Sequence, residues 1–266
     1  MELSRIKCFA FDLDGTVYLS GKLISGARET LDIIRAHGGK VKYLTNNASV
    51  SRVNYLKKLN ALGLNAEVDD IITAGAVAAD YLSVSYKGKR VYVFGTEDLK
   101  EEVGSHGVTV VDDNPDIVLL GYKTDMKFDD LIKLCTLIKG GVPYIATHND
   151  PFCPIEGGIM PDAGAFVSLL TTATGEEPIM VCGKPYLPMK VYALRNFGVD
   201  AQYCAVVGDR LTTDMEIAIR YGMTSILTLT GDSSRSDAEA YHRKPDYIFE
   251  NIGELGEELN RLYRKF

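Results

Sequence analysis

The chain has 266 residues, 46% of them hydrophobic and 24% charged, with a formal net charge of −7 at pH 7. That length allows one large domain or two smaller ones around a real core. The acidic balance argues against a nucleic-acid-binding surface, which needs a basic patch, but leaves room for a small anionic substrate beside a bound metal and one or two Lys. Cys8, Cys135, Cys153, Cys182 and Cys204 include no Cys-x-x-Cys pair and read as reduced thiols. No signal-peptide pattern and no run of roughly 18 apolar residues occurs, so a cytoplasmic protein is expected.

In chain order, Cys8–Phe11 reads as a buried strand. Ala27–Ala36 follows as a helix with Leu31 and Ile34 on one face, ended by Gly38-Gly39. Val41–Leu44 is the next strand. Val53, Leu56, Leu59 and Leu62 then recur every third residue of a helix that Gly63 closes. In the middle, Arg90–Phe94, Ile117–Leu120 and Tyr144–Ala146 read as strands, and Leu99–Val103 and Phe128–Ile138 as helices. Ile179–Cys182, Tyr203–Val207, Ser225–Leu229 and Tyr247–Phe249 read as further strands. Helices are expected around Met189–Phe197, Asp214–Tyr221 and Gly253–Tyr263. This alternation predicts an α/β protein with parallel sheet and right-handed crossovers. Hinges are expected near Ala79–Leu82 and Gly175–Pro178. The simplest architecture is a discontinuous core, residues 1–79 and 179–266, with a second α/β domain, residues 80–178, inserted in it. A single continuous sheet would be unusually wide.

In open parallel sheets, ligands bind at the carboxyl ends of the strands. Asp12 follows Cys8–Phe11, Thr45 and Asn46 follow Val41–Leu44, Lys184 follows Ile179–Cys182, and Asp209 follows Tyr203–Val207. Four strands are thus expected to bring an acid, a hydroxyl, an amine and an acid to one edge of one sheet. Asp12 and Asp14 stand close together, and Gly15 lets the backbone turn just after them. Carboxylates that close repel unless a cation or proton lies between them. Mg²⁺ is the expected cation, because calcium asks for more oxygen ligands and zinc for His or Cys. His37, His106, His148 and His242 have no metal-ligand spacing. Thr45 and the adjacent amides are donors for phosphate oxygens, and Lys184 is a point charge for the same group. Phosphoryl transfer needs mainly positioning and charge stabilisation. A carboxylate nucleophile would divide it through an aspartyl-phosphate, and Asp14 is suited to protonate the leaving oxygen and activate water. Singly, Asp209, Thr45, Asp214 or Lys184 reads as a turn, cap or surface residue; the combination carries the chemistry.

Asp12-Leu13-Asp14-Gly15-Thr16 resembles the first motif of the haloacid dehalogenase (HAD) superfamily. Thr45 in Tyr43-Leu44-Thr45-Asn46-Asn47 resembles the second motif, Lys184 in Gly183-Lys184-Pro185 the third, and Gly208-Asp209-Arg210-Leu211-Thr212-Thr213-Asp214 the fourth. Asn46-Asn47 with Ser49, Gly121-Tyr122-Lys123-Thr124-Asp125 and Pro161-Asp162-Ala163-Gly164-Ala165 are similar to the NagD-like and p-nitrophenyl phosphatase branch, subfamily IIA. The resemblance covers essentially the whole chain. It implies a Rossmann-like core, an inserted α/β cap of the C2 type, and Mg²⁺-dependent hydrolysis of small phosphomonoesters such as sugar phosphates. It further implies Asp12 as nucleophile and metal ligand, Asp14 as acid/base with its carbonyl on the metal, and Asp209 as the remaining protein ligand. Thr45, Asn46 and Asn47 would hold phosphate, Lys184 would bridge phosphate and Asp12, and Asp214 would orient metal-bound water or Lys184. The superfamily's dehalogenases lack the second acid, so Asp14 argues against that chemistry.

The segment Thr147–Pro154 is expected to face the site, with His148, Asn149 and Asp150 as candidate substrate contacts and Phe152 as a stacking surface; a Pro-framed structural turn is the competing reading. Two other functions fit the same pocket: a non-catalytic phosphometabolite-binding protein, and a phosphotransferase of the superfamily. The intact pair Asp12 and Asp14 favours the phosphatase, because a pure binder has no need of a second acid. A homodimer through the cap is compatible with the sequence.

Overall fold

The computed structural model describes residues 2–155 and 157–264. The chain divides into two compact units: Met1–Thr45, Leu56–Ile72 and Lys190–Phe266 form the first, and Asn46–Tyr55 and Thr73–Met189 the second.

The first unit is built on a six-stranded sheet in the order Tyr247–Phe249, Thr224–Thr228, Cys204–Gly208, Cys8–Phe11, Lys40–Thr45, Ile71–Thr73. Cys8–Phe11 runs parallel to both neighbours, and the strands from Cys204 to Phe249 continue in parallel. All four residues of Cys8–Phe11 are buried, as in a strand covered on both faces. The chain first builds the sheet outward from Cys8–Phe11 on one side, then on the other. The reversal makes a topological switch point between Cys8–Phe11 and Cys204–Gly208, where open α/β sheets leave a crevice at the strands' carboxyl ends. Helix Ala27–Ala36 buries Leu31 and Ile34 and packs against helix Ile252–Tyr263. The latter buries Ile252, Leu255, Leu259 and Leu262 at three- and four-residue steps, and the Asn251 side chain caps its first turn. Thr30 Oγ1 lies 2.9 Å from the Ile252 carbonyl and ties the two helices together.

The second unit has a five-stranded parallel sheet in the order Met180–Val181, Tyr144–Ala146, Ile117–Leu120, Arg90–Phe94, Thr109–Val110. Helices Phe128–Lys139 and Ala163–Thr174 cover a core that includes Phe94, Leu120, Leu134, Tyr144 and Leu170. The first turn of helix Arg52–Ala61 belongs to this unit because two acids of helix Glu97–Ser105 cap it. Asp98 Oδ2 accepts the Ser51 N–H at 2.9 Å and Asn54 Nδ2 at 2.7 Å. Glu102 accepts the Arg52 N–H at 3.1 Å and Arg52 Nε at 2.8 Å. Anionic oxygens at a helix N-terminus satisfy its unpaired N–H groups and its dipole.

Three features depart from expectation. The strand near Ile179–Cys182 is shorter, Met180–Val181, and pairs with Tyr144–Ala146 in the five-stranded sheet. Three of the four expected strand ends therefore share the six-stranded edge, and the one preceding Lys184 does not. In helix Arg52–Ala61 the buried side chains are Tyr55 and Leu59, while Val53 is 54% exposed. A strict three-residue step drifts around a helix of 3.6 residues per turn, whereas a four-residue step stays on one face. Residues 79–82 lie within helix Ala74–Ser85, whose first six residues are all buried; a stretch buried on every side gives no amphipathic signal. Among the described residues no helix is long and apolar enough to cross a membrane.

Candidate active site

The register of the six-stranded sheet sets the site. Phe11 pairs with Val207 on one side and Tyr43 on the other. Asp12, Asp209 and Thr45 therefore leave three adjacent strands at nearly the same level, beside the switch point. The Asp12 N–H still bonds the Val207 carbonyl at 2.8 Å, which extends the ladder to the residue that carries the carboxylate.

Asp12, Asp209 and Asp214 each offer an oxygen within 4.8 Å of the others. Asp214 arrives from a wide helical turn, Leu211–Met215, that follows the Cys204–Gly208 strand. Its Oδ2 accepts the Arg210 N–H at 3.2 Å. Asp209 is 6% exposed. Its Oδ2 accepts the Asp232 N–H at 2.7 Å, and Thr16 Oγ1 lies 3.5 Å from its Oδ1. Burial, and then the neighbouring Asp214 charge, push the Asp209 carboxyl up to about 6. Gly15, at φ +89°, lets the loop after Asp12 close over Asp209: a Cβ there would lie 2.6 Å from Asp209 Oδ2. Three converging acids, oxygen donors only, with one carboxyl raised by burial beside a second acid, fit a hard divalent cation such as Mg²⁺.

Asp14 points elsewhere. It is exposed, and its Oδ2 accepts the hydroxyl of the buried Tyr18 at 3.1 Å. Lys58 Nζ lies 3.9 Å from the centre of the Tyr18 ring. The surrounding protein raises the Asp14 carboxyl against the opposing pull of Lys58 and Tyr18. Neither Tyr18 nor Lys58 stands out in the sequence. Asp232 is also a structural addition; the signal for it is the Gly231-Asp232-Ser233 turn soon after the next strand of the same sheet, Thr224–Thr228.

The other candidates divide between the units. Thr45 ends its strand and is buried. Asn47 Oδ1 accepts the Ser49 N–H at 2.8 Å and the Ser49 hydroxyl at 2.9 Å, a local turn. Asn46, His148, Asp150 and Lys184 come together within the second unit. Asn46 bonds the Lys184 backbone, and His148 is 1% exposed between Asp150 and Asp162. Asn149 is exposed beside them.

A doubly wound sheet with three acids converging at its switch point suits metal-assisted phosphoryl transfer. A family model described as haloacid dehalogenase-like hydrolase matches residues 9–109, and one described as HAD-hydrolase-like matches residues 181–255. The chain is 31% identical to the sugar-phosphatase AraL of Bacillus subtilis, over 92% of this chain and 90% of that one. A 4-nitrophenylphosphatase from Thermotoga maritima superposes with a TM-score of 0.92 at 35% identity, covering 96% of this chain and 98% of that one. A glycerol phosphate phosphatase from Mycobacterium tuberculosis, solved in complex with magnesium, superposes with a TM-score of 0.88 at 34% identity, covering 96% of this chain and 78% of that one. The chain belongs to the haloacid dehalogenase-like hydrolases, of the NagD-like type. It is a phosphatase for small phosphoesters that uses Mg²⁺.

Proposed function

We propose that this phosphatase hydrolyses sugar phosphates or similar small phosphorylated metabolites, with Asp12 as nucleophile and Asp14 as acid and base. The convergence of Asp12, Asp209 and Asp214 at the switch point carries the reading. An oxygen of Asp12 attacks phosphorus, and the bond from phosphorus to the leaving oxygen breaks. Asp14 gives that oxygen its proton, then takes one from the water that attacks the aspartyl-phosphate and releases inorganic phosphate. Thr45 and the amides of Asn46 and Asn47 donate to the phosphate oxygens, and Lys184 balances their charge. Asp12, Asp209 and the Asp14 carbonyl would hold Mg²⁺, with Asp214 orienting its water or binding beside them. Mg²⁺, when bound, offsets the repulsion between carboxylate and phosphate.

The sugar-phosphate preference is supported by the names of relatives such as the sugar-phosphatase AraL. The expected core is residues 1–79 and 179–266, with residues 80–178 as the cap. A cytoplasmic location and a homodimer formed through the cap complete the reading; Phe128 and Ile132, 76% and 52% exposed one helical turn apart, support the latter, and light scattering checks it. Phosphate release from a metabolite panel and from p-nitrophenyl phosphate, with Mg²⁺ present, tests the activity. Asp12→Asn is expected to abolish release; a variant that turns over normally would remove Asp12 from the role.

A further inference from the structure

The Asn46 carboxamide takes both backbone groups of a single residue 138 positions away. Its Oδ1 accepts the Lys184 N–H at 2.7 Å, and its Nδ2 lies 3.2 Å from the Lys184 carbonyl oxygen. The same Nδ2 donates toward Asp150, at 3.2 and 3.1 Å from its two oxygens. A carboxylate only accepts, so Asp150 reinforces the carboxamide orientation that the Lys184 N–H and carbonyl also select. With the amide turned over, an NH₂ group would face the Lys184 N–H and the grip would be lost.

Asp150 is braced in turn. Its N–H is 3.4 Å from His148 Nδ1, and His148 Nε2 is 3.3 Å from Asp162 Oδ1. Asp162 Oδ1 also accepts the Ala163 N–H at 2.8 Å at the start of helix Ala163–Thr174. Gly183 leaves space for this packing: a Cβ there would lie 2.6 Å from Asn46 Oδ1 and 2.7 Å from the His148 Cβ. Asn46 is 6% exposed, so its bonds form out of water, where an incorrectly oriented polar group is costly.

We infer that Asn46, held by Asp150, whose own N–H meets His148 Nδ1, is a positioning residue that fixes the Lys184 backbone and so aims its ammonium. The inference rests on the reading of Lys184 as the phosphate-holding cation. It makes His148 and Asp150 supports of the catalytic apparatus rather than direct contacts to the substrate's organic part.

Asp150→Asn separates this role from simple electrostatics. Removing a negative charge near an anion site would by itself tighten phosphate binding. Turning one of the two oxygens that accept from Asn46 Nδ2 into an NH₂ donor, and neutralising the other, weakens it instead. Full-length variants are assayed with p-nitrophenyl phosphate and saturating Mg²⁺, with inorganic phosphate as competitive inhibitor and Tm measured alongside. Asp150→Asn and Asn46→Ala are each expected to lower kcat/KM by about tenfold to a hundredfold and to raise the inhibition constant for phosphate. Adding Asp150→Asn to Asn46→Ala should cost nothing further, because Asp150 acts through Asn46. Lys184→Met is the control for the underlying reading and should be nearly inactive. If Lys184→Met is inactive while Asp150→Asn binds phosphate as well as the parent or better, the positioning role is overturned and the phosphate reading stands. If Lys184→Met has parental kinetics, the phosphate reading itself is overturned. Additive losses in the double variant, or losses that track only the unfolded fraction, also overturn the role. Should Asn46→Ala not fold, Asn46→Ser replaces it in the cycle.

Discussion

Asp209 in the first unit and Glu102 in the second are comparably buried, 6% and 7% exposed, yet their closest charged partners differ. Glu102 meets the Arg52 guanidinium at 2.8 Å and the Arg52 N–H at 3.1 Å, so its charge is answered within the protein. Asp209 meets Asp12 and Asp214, and its carboxyl rises to about 6. The first acid caps the Arg52 helix; the second sits with two further acids, a grouping of like charges that a cation or a proton relieves. The same contrast extends to the acids around Lys184. Asp150 accepts from Asn46 and Asp162 from the N-terminus of helix Ala163–Thr174, which suits positioning, while the trio at the switch point suits binding and chemistry.

Substitutions can break or sharpen this contrast. After Asp12→Asn and Lys184→Met, the largest effect is expected from Asp14→Asn. Without the second acid, turnover should fall by about 10²–10⁴-fold. Intact-mass measurement after acid quench should show phosphorylated chain, because water is no longer activated to release it. Normal turnover would remove Asp14 from the acid/base role.

Asp209→Asn should lower activity by at least about a hundredfold and abolish the Mg²⁺ dependence of Tm. In metal-free protein the same variant should raise Tm by about 2–4 °C, since it removes one repelling charge. In the parent protein, Mg²⁺ at a hundredfold excess over Kd should add about 2.7 kcal/mol of stability. A metal-free Asp209→Asn protein that melts lower than the parent would contradict the charge-imbalance reading.

The pH dependence follows from the sign of the Asp209 shift. Its pKa in the folded chain, about 6, lies above the ordinary carboxylate value. The protonated carboxyl therefore favours the folded metal-free state below the ordinary range, near pH ~4. That contribution is lost as pH rises through about 6. Mg²⁺ competes with the same proton, so calorimetric titration should give weaker Mg²⁺ binding below that pH and proton release on binding. Affinity independent of pH across this range would exclude Asp209 as a ligand.

The smallest effect is expected from Glu102→Gln. It replaces charge-assisted bonds to Arg52 by neutral ones and should cost about 1–2 kcal/mol, read as a lower Tm with or without Mg²⁺. Stability unchanged by this substitution would mean that the cap on the Arg52 helix is marginal.

Much of this architecture is legible in the amino-acid order. Cys8–Phe11, Ala27–Ala36, Arg90–Phe94, Ile117–Leu120, Tyr144–Ala146 and Tyr247–Phe249 form between the expected residues, because apolar runs and helical periodicity are local properties of the chain. Asp12, Thr45 and Asp209 fall at strand ends for the same reason. Tertiary structure decided what depends on distant partners. Met180–Val181 joined the five-stranded sheet because its hydrogen bonds are completed by Tyr144–Ala146, and nothing within a two-residue strand encodes which edge it meets. Asn46 became a clamp on Lys184 only once a bond across 138 residues could form. Asp209 acquired its raised pKa only when folding removed water and brought Asp214 alongside. The sequence by itself determined which acids end the strands and what reaction they suit. Burial and long-range hydrogen bonding, which no local pattern carries, decided which acids converge at the switch point and which bond to the side chain that grips the Lys184 backbone.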